Sequence, residues 1–425
     1  MTVSIESPAK PAPRTRPLEG IRVLDLSRFI AGPYIGRLLA DLGAEVVKVE
    51  PPEGDVTRLF GVVRDGLSGL YFQQNAGKRN LCVDLKSAGG SALVLSLAEH
   101  ADVVIENFRP GVIARLGIGW TELSAANPRL ILVSISGFGQ EGPESQRQAY
   151  APIIHAESGW IGRKLELLGE APRDSVMSFA DSIAGLHGMV GLLSALHMRE
   201  RTGRGQHVDV AMLDAWHATD DYLHYLLDGA EKPVLQGGEV FDAPGGLLML
   251  NRTLPHVWKL LKNAYDLISE EPEDADVPTK ERYRREAVLR WMASFPDRDT
   301  LKHALEDANL AWGDIRTSAT LLGSPTVIAR GVVAAVEDDE GNVRLVAQTP
   351  YRFSGADSGV NGPAPRLGQH NGRVLRDWLG LDDGAVTALV EQRVLADEKG
   401  PLNGHARINS DSNNQIGKVM RVPRQ

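Results

Sequence analysis

Ile21-Arg22-Val23-Leu24-Asp25-Leu26 and Glu45-Val46-Val47-Lys48-Val49-Glu50 frame the stretch Tyr34-Ile35-Gly36-Arg37-Leu38-Leu39-Ala40-Asp41-Leu42, which Gly43 terminates. The two framing runs are short, apolar and rich in β-branched residues, as strands buried within a sheet are. The intervening segment has helical spacing, and a glycine after its last apolar residue is a common helix stop. Pro51-Pro52 then blocks continuation of the second strand. The unit reads β-α-β. Strand-like runs recur at Asn80 to Leu85, Ala101 to Ile105 and Leu130 to Ser134, with helical stretches such as Ala88 to His100 between them. This alternation predicts an α/β chain built on a mostly parallel sheet with helices on its faces. Further on, His207 to Met212 reads as a strand, Asp214 to about Leu227 and Arg284 to Ala308 as helical. Val332 to Val336 and Val343 to Val346 form a hairpin turning through Glu340-Gly341-Asn342.

With 425 residues the chain is long enough for two domains. Its formal net charge of −9 argues against broad nucleic-acid binding, which requires a basic surface. The single cysteine, Cys82, excludes an internal disulfide framework and reads as a buried strand thiol, compatible with a reducing cytoplasm. Residues 1–17 form a flexible leader without the continuous apolar core of a secretory signal, and residues 398–425 a polar, mobile tail. No run of about 18 apolar residues is present to span a membrane. The acidic stretch 270–276 reads as a solvated loop.

Several cofactor chemistries lack their signatures. The loop Ser27-Arg28-Phe29-Ile30-Ala31-Gly32-Pro33-Tyr34 has no Gly-x-Gly-x-x-Gly, so Glu50 at the second strand's end has no dinucleotide to serve. A P-loop is missing too. His217, Asp221 and His224 would share one face of a continuous helix, but no second ligand group accompanies them, and no metal is expected. His187 reads as a satisfied residue of an apolar helix.

Two clusters are better placed for binding. Asn75-Ala76-Gly77-Lys78-Arg79 precedes a strand, and Glu106-Asn107-Phe108-Arg109-Pro110-Gly111 follows one, at the sheet edge where open α/β folds bind ligands. Their cations suit phosphates and Phe108 offers a stacking face. Ser178-Phe179-Ala180-Asp181 leads into a long apolar helix with Leu186, Met189, Val190, Leu193, Leu196 and Met198 at helical spacing. An Asp there is either a helix cap or a carboxylate kept ionised by the helix dipole and free backbone N–H groups.

The order of these segments resembles the family III CoA-transferases, from about Leu18 through Leu375. The resemblance rests on Leu24-Asp25-Leu26-Ser27 with Ala31-Gly32-Pro33, on Asp41 to Glu50, on Asn75 to Arg79 and on Glu106 to Gly111. Gly137-Phe138-Gly139-Gln140-Glu141-Gly142-Pro143, Thr202 to Gln206, Arg352-Phe353-Ser354-Gly355 and Leu367-Gly368-Gln369-His370 complete it. It implies a Rossmann-like large domain built from both chain ends (18–225 and 345–397), a smaller central α+β domain (226–344), and an interlocked homodimer. It implies further that Asp181 is the nucleophile, forming a mixed anhydride and then an aspartyl-CoA thioester, while CoA moves from a donor acyl-CoA to an acceptor carboxylic acid. Asn107, Phe108 and Arg115 would line the CoA site with Lys78 and Arg79 nearby; Gly237 and Gly238 are candidate oxyanion donors. CoA is then substrate, and no permanent cofactor is implied.

The same fold carries α-methylacyl-CoA racemases, which pair an Asp with a His. The position of that His holds Tyr150, a poor base at neutral pH, and His155 would need a shifted register. A non-catalytic acyl-CoA-binding protein is the third reading. Ile30 stands where formyl-CoA transferases carry a glutamine, and Pro51 where some members place a CoA-contacting arginine. Oxalate is therefore disfavoured and a less polar acid expected.

Overall fold

A computed structural model describes residues 15–64, 66–229 and 237–396. Of the leader expected over 1–17, residues 1–14 lie outside the described residues, as does the whole of the tail expected over 398–425. The chain divides into two compact units, one running to Asp221 and resuming at Gly331, the other spanning Tyr222–Arg330.

The large unit begins β1 (Arg22–Asp25), α1 (Ala31–Asp41), β2 (Glu45–Glu50), a small hairpin of β3 (Val63–Arg64) and β4 (Leu67–Ser68), and α2 (Gly69–Asn75). There follow β5 (Arg79–Cys82), α3 (Ala88–Ala98), β6 (Val103–Glu106), α4 (Val112–Arg115), α5 (Trp120–Ala126) and β7 (Ile131–Ser136). Next come α6 (Ala151–Glu157), α7 (Trp160–Leu168), the 24-residue α8 (Phe179–Thr202), β8 (His207–Ala211) and α9 (Met212–Thr219).

The second unit contains α10 (Leu223–Leu227), β9 (Glu239–Ala243), β10 (Gly246–Leu250), α11 (Leu254–Tyr265), α12 (Val277–Ala293), α13 (Arg298–Asp307), β11 (Trp312–Asp314) and α14 (Pro325–Ala329). Its three strands form an antiparallel sheet over a core that includes Phe241, Leu250, Val257, Val288 and Leu301. The acidic stretch is a loop whose Glu271 pairs with Arg284 and whose Asp276 caps α12. The chain then returns to the large unit as β12 (Val333–Glu337), β13 (Val343–Ala347), α15 (Asn371–Leu379) and α16 (Asp383–Glu391).

The central sheet has the order β5-β2-β1-β6-β7-β8, parallel throughout. Val23, Val46, Val103, Ile131 and Val133 point to the layer holding α1, α8 and α9, while Leu24, Val47, Leu81, Val104 and Leu132 point to the other layer with α3, α5 and α15. Burial on both faces is why these strands read as nearly continuous apolar runs. The order reverses between β1 and β6, so their carboxyl ends open a crevice where parallel α/β sheets take ligands.

Three expectations are corrected. The β12–β13 hairpin belongs to the large unit because Val336 and Val346 pack with Tyr71, Phe72 and Ala76, so the boundary falls at Gly331 rather than residue 345. The helix expected over 214–227 is two, α9 and α10, broken after Thr219; His217, Asp221 and His224 therefore share no helix face. Among the described residues no cluster of three His, Cys, Asp or Glu side chains is spaced to hold a metal ion. His187 is half-buried, its Nε2 2.9 Å from the Thr219 hydroxyl, and is not a core residue.

Candidate active site

At the carboxyl ends of β1, β6 and β7 lies a cavity of about 350 Å³. Its wall includes Arg28, Phe29 and Ala31 after β1, Asn107 to Pro110 after β6, Ser136 at the end of β7 and Gly137 after it, the segment Arg147 to Tyr150, and Asp181 from α8.

Asp181 is the third residue of α8, after the cap position Ser178. It is therefore not the N-cap. Its location follows from how closely α8 approaches α1. A Cβ on Gly188 would stand 2.6 Å from Ile35 Cδ1, and one on Gly185 would stand 3.0 Å from the Ala31 carbonyl oxygen. Without side chains at these two positions the helices close together, and the amino ends of α1 and α8 converge. The Asp181 carboxyl is pushed up to about 6 by desolvation, with the Ala31 backbone N–H acting in the opposite direction. Removal from water outweighs the favourable helix dipole. The group is nevertheless about nine-tenths ionised at pH 7, and poorly hydrated, as a carboxylate nucleophile should be.

The β1–α1 loop is held rigidly. Asn107 Oδ1 accepts the Arg28 backbone N–H at 2.7 Å and its Nδ2 donates to the Arg28 carbonyl at 2.7 Å. Both functions of the Asn107 amide are thus spent on the loop, so its role is to shape the wall rather than to offer a free amide. Phe29 adopts a left-handed backbone, φ 65°, costing about 1–2 kcal/mol for a bulky residue. Its N–H donates to Asp55 Oδ2 at 3.3 Å, and its ring meets Tyr150 (5.6 Å) and Phe60 (6.2 Å) edge-on.

Three arginines line the cavity. Arg109 donates to Gln148 Oε1 at 2.6 Å, and Arg147 pairs with Glu144 and Glu157. Arg28 lies over the Phe108 ring, 5.4 Å from its centroid, and among the described residues no carboxylate forms an ion pair with it. Beneath this wall the Glu106 carboxyl is buried and pushed up to about 7 by desolvation, with the Asp209 charge adding to the rise; hydrogen bonds from Ser134 and the Phe108 N–H oppose it.

Asp181, Asn107, Phe108 and Tyr150 are therefore brought together; other expected residues are not. Lys78 is fully buried, and its ammonium donates to Asp25 Oδ2 (2.8 Å), the Pro33 carbonyl (2.8 Å) and Asn75 Oδ1 (2.9 Å), leaving no donor for a phosphate. Burial brings its pKa down to about 8 despite the Asp25 charge. Arg79 begins β5 opposite Val47 of β2, and its guanidinium reaches back to Glu45, the first residue of β2, and to Asp377, away from the carboxyl ends that form the crevice. Arg115 is exposed at the end of α4, outside the cavity wall. Ile30 occupies the N-cap position of α1, between two wall residues but not itself in the wall. Gly237 and Gly238 belong to the second unit, where Gly238 packs against the Leu250 carbonyl. Pro51 follows β2 at the same sheet end as Glu50, itself bonded to Arg58, Tyr71 and Asn80.

Arg28, Phe29, Arg147 and Gln148 also line the cavity; nothing in the sequence marks them, since the first two lie in a loop without a glycine fingerprint and the last two in a segment without periodicity. His155 is no base for the cavity. It is fully buried; its Nδ1 is 2.6 Å from Asp174 Oδ1 and its Nε2 accepts the Ala180 N–H at 3.1 Å.

The model of the CoA-transferase family III matches residues 18–371. A succinyl-CoA–D-citramalate CoA-transferase of Chloroflexus aurantiacus is 33% identical over 399 residues, 89% of this chain and 98% of that protein. A succinate–glutarate CoA-transferase of Agrobacterium fabrum is 34% identical, across 86% of this chain and 96% of its own length. A formyl-CoA:oxalate CoA-transferase of Streptomyces avermitilis is 31% identical, covering 90% and 100%. Among solved structures, a CaiB/BaiF family protein from Brucella suis superposes with a TM-score of 0.72 at 32% identity, covering 86% of this chain and all of that one. The chain therefore belongs to CoA-transferase family III and is an enzyme that transfers coenzyme A.

Proposed function

We propose that the enzyme moves CoA between an acyl-CoA and a carboxylic acid with Asp181 as covalent nucleophile. The observation that carries this reading is a part-buried, weakly hydrated carboxylate facing a cavity lined with arginines. Its oxygen attacks the donor thioester carbonyl, the C–S bond breaks, and CoA thiolate leaves behind an acyl-aspartyl anhydride. Thiolate attack on the aspartyl carbonyl releases the donor acid as its carboxylate and gives the aspartyl-CoA thioester. The acceptor carboxylate then displaces thiolate, forming a second anhydride, and the thiolate takes the acceptor acyl group and frees Asp181. No proton is gained or lost, so no general base is required. Dividing an exchange between weak nucleophiles into such steps is what covalent catalysis accomplishes.

A cavity of about 350 Å³ suits the acyl end of the thioester. The nucleotide portion then extends over Phe108 and Arg109 towards exposed Arg115, where a ring face and two cations suit adenine and phosphates. Lys78 and Arg79 have no part in this reading. The relatives' names couple succinate with citramalate and glutarate, and formate with oxalate. With Arg28 free of a carboxylate partner, we favour a dicarboxylic substrate whose distal carboxylate pairs with that guanidinium. The less polar acid inferred from Ile30 yields to this, because one apolar side chain outside the wall weighs less than a cation inside it.

The racemase reading loses support. The Tyr150 phenol oxygen accepts from Gln148 Nε2 and has no proton-accepting partner among the described residues, while His155 is sealed from the cavity and already accepts a backbone N–H. The homodimer draws support from α8, where Leu186, Val190 and Leu193 form an exposed apolar stripe. The lone thiol Cys82, buried and pushed up to about 12 chiefly by desolvation, fits a reducing cytoplasm.

The test is to incubate the full chain with succinyl-CoA, trap with hydroxylamine or borohydride, and map the modified residue by mass spectrometry. An adduct on Asp181, missing in Asp181→Asn, is expected. Deuterium uptake at the acyl α-carbon without CoA exchange would instead identify a racemase, and neither event a binding protein.

A further inference from the structure

The start of α8 has a vacancy that a distant residue fills. Ser178 occupies the cap position without a side-chain cap hydrogen bond, so the first-turn N–H groups need acceptors from elsewhere. His155, on α6, supplies one: its Nε2 accepts the Ala180 N–H at 3.1 Å, one residue before Asp181. A backbone N–H can only donate, so Nε2 is the lone-pair nitrogen and Nδ1 carries the proton, which it gives to Asp174 Oδ1 at 2.6 Å. The ring is fixed by Trp160 (centroids 5.3 Å) and Trp216 (5.2 Å). The Ala180 N–H is thereby satisfied by the imidazole and not by the neighbouring Asp181 carboxylate, which lines the cavity.

We propose that His155, oriented by Asp174, is a positioning residue that fixes the first turn of α8 and so aims Asp181 at the reacting carbonyl. This rests on the reading of Asp181 as nucleophile. Glutamine reproduces the arrangement, since its amide oxygen can accept from Ala180 while its length approximates the imidazole. Leucine fills the aromatic box but accepts nothing.

The experiment compares the full chain with His155→Gln, His155→Leu and Asp174→Ala, using succinyl-CoA with a dicarboxylic acceptor panel, and follows amide exchange across residues 178–184. Misplacement of a reacting group by about 1 Å costs up to about 100-fold, so His155→Leu should lower kcat by about 10- to 100-fold with KM changed less than about threefold. Exchange at Ala180 should accelerate, and His155→Gln should restore kcat to within about fivefold of the parent. Equal losses in the Leu and Gln variants, or a folded Leu variant with parental kcat, would overturn the proposal. Should the Leu variant not fold, Asp174→Ala decides: a kcat drop of about threefold or more at unchanged KM supports it and parental kcat refutes it. A parent chain that forms no Asp181 adduct brings down the nucleophile reading first, which the unmodified enzyme reports separately.

Discussion

As the proposed nucleophile, Asp181 would have to meet two demands that oppose each other. A nucleophile must be ionised, yet hydration dulls it, and partial burial meets the second demand at some expense to the first. With the carboxyl pushed up to about 6 by desolvation, kcat/KM should fall about tenfold per pH unit well below that value, and a profile flat down to pH 4.5 would refute the assignment. The stability consequence has the opposite sign to an ordinary ion-paired Asp. The folded state holds this proton more tightly than the unfolded chain, so stability is lost as pH rises from the ordinary carboxyl range through about 6. Asp181→Asn should therefore abolish turnover while raising Tm at pH 8 more than at pH 5; an equal shift at both pH values would contradict the burial argument. Arg28 tests substrate choice at the same scale. If it meets a distal carboxylate, Arg28→Ala should raise KM for a dicarboxylate by about 10- to 100-fold, as loss of a charged hydrogen bond does, and leave a monocarboxylate of equal length within about twofold. Similar losses for both acids would remove Arg28 from specificity. The carboxylate itself was legible in the sequence through the company of motifs around it. Its place as third helical residue, its burial and its external cap were not, because each depends on side chains brought in from α1 and α6.

Elements supply that precision through close approach. Gly188 admits Ile35, and a leucine there has no room: Gly188→Leu should separate α1 from α8, cost about 1–3 kcal/mol, and depress kcat further than the stability loss explains. Parental kcat in a destabilised variant would show that the two helix ends need not converge. The carboxyl end of β6 offers a second test. Glu106 is pushed up to about 7, mainly by burial, so the fold retains a proton that the unfolded chain releases near 4.5. Stability should then decline as pH climbs from 4.5 to about 7, by up to roughly 3 kcal/mol at about 1.4 kcal/mol per unit. Glu106→Gln, which keeps the shape and cannot ionise, should flatten that decline in denaturant titrations at several pH values; an unchanged slope would assign it to other groups. The elements were the most legible layer, because strands buried on both faces write uninterrupted apolar runs such as Val46-Val47 and Val103-Val104-Ile105. Reading failed where direction mattered. Lys78 and Arg79 look like a phosphate clamp in a linear string, but the Lys78 ammonium is spent on Asp25, Pro33 and Asn75 and Arg79 turns to Glu45 and Asp377, while Asn107 to Arg109 follow β6 into the crevice. The break between α9 and α10 was likewise invisible, since Asp220 is an ordinary helix resident and no proline or glycine marks it.

At the scale of the whole molecule, α8 carries a surface that one chain leaves uncovered. Its inner face, with Met189, Leu192, Ala195 and Leu196, is packed into the large unit, and that packing argues against a transmembrane role even though the helix has the length and composition for one. The outer stripe is another matter: Val190 is 63% and Leu193 39% exposed, on the same helix that presents Asp181. A second copy of the chain is the occupant implied by the family resemblance, and apolar positions recurring at 186, 190 and 193 present the spacing of a helix that meets a partner. The division into units was readable only through that resemblance, since composition changes little between Asp221 and Gly331, and the partner surface was not readable at all, because a covered and an uncovered apolar stripe look identical in sequence. Val190→Asp combined with Leu193→Asp places two carboxylates on this stripe without touching the inner face. The parent should elute at twice the chain mass by light scattering and the double variant at the chain mass or as a concentration-dependent mixture, with far-ultraviolet circular dichroism unchanged. Since Asp181 lies on the same helix, nine residues before Val190 and twelve before Leu193, the monomer should also lose turnover in parallel with dimer dissociation and regain it at high protein concentration. A double variant that remains dimeric and fully active would move the interface elsewhere and leave the stripe without a partner.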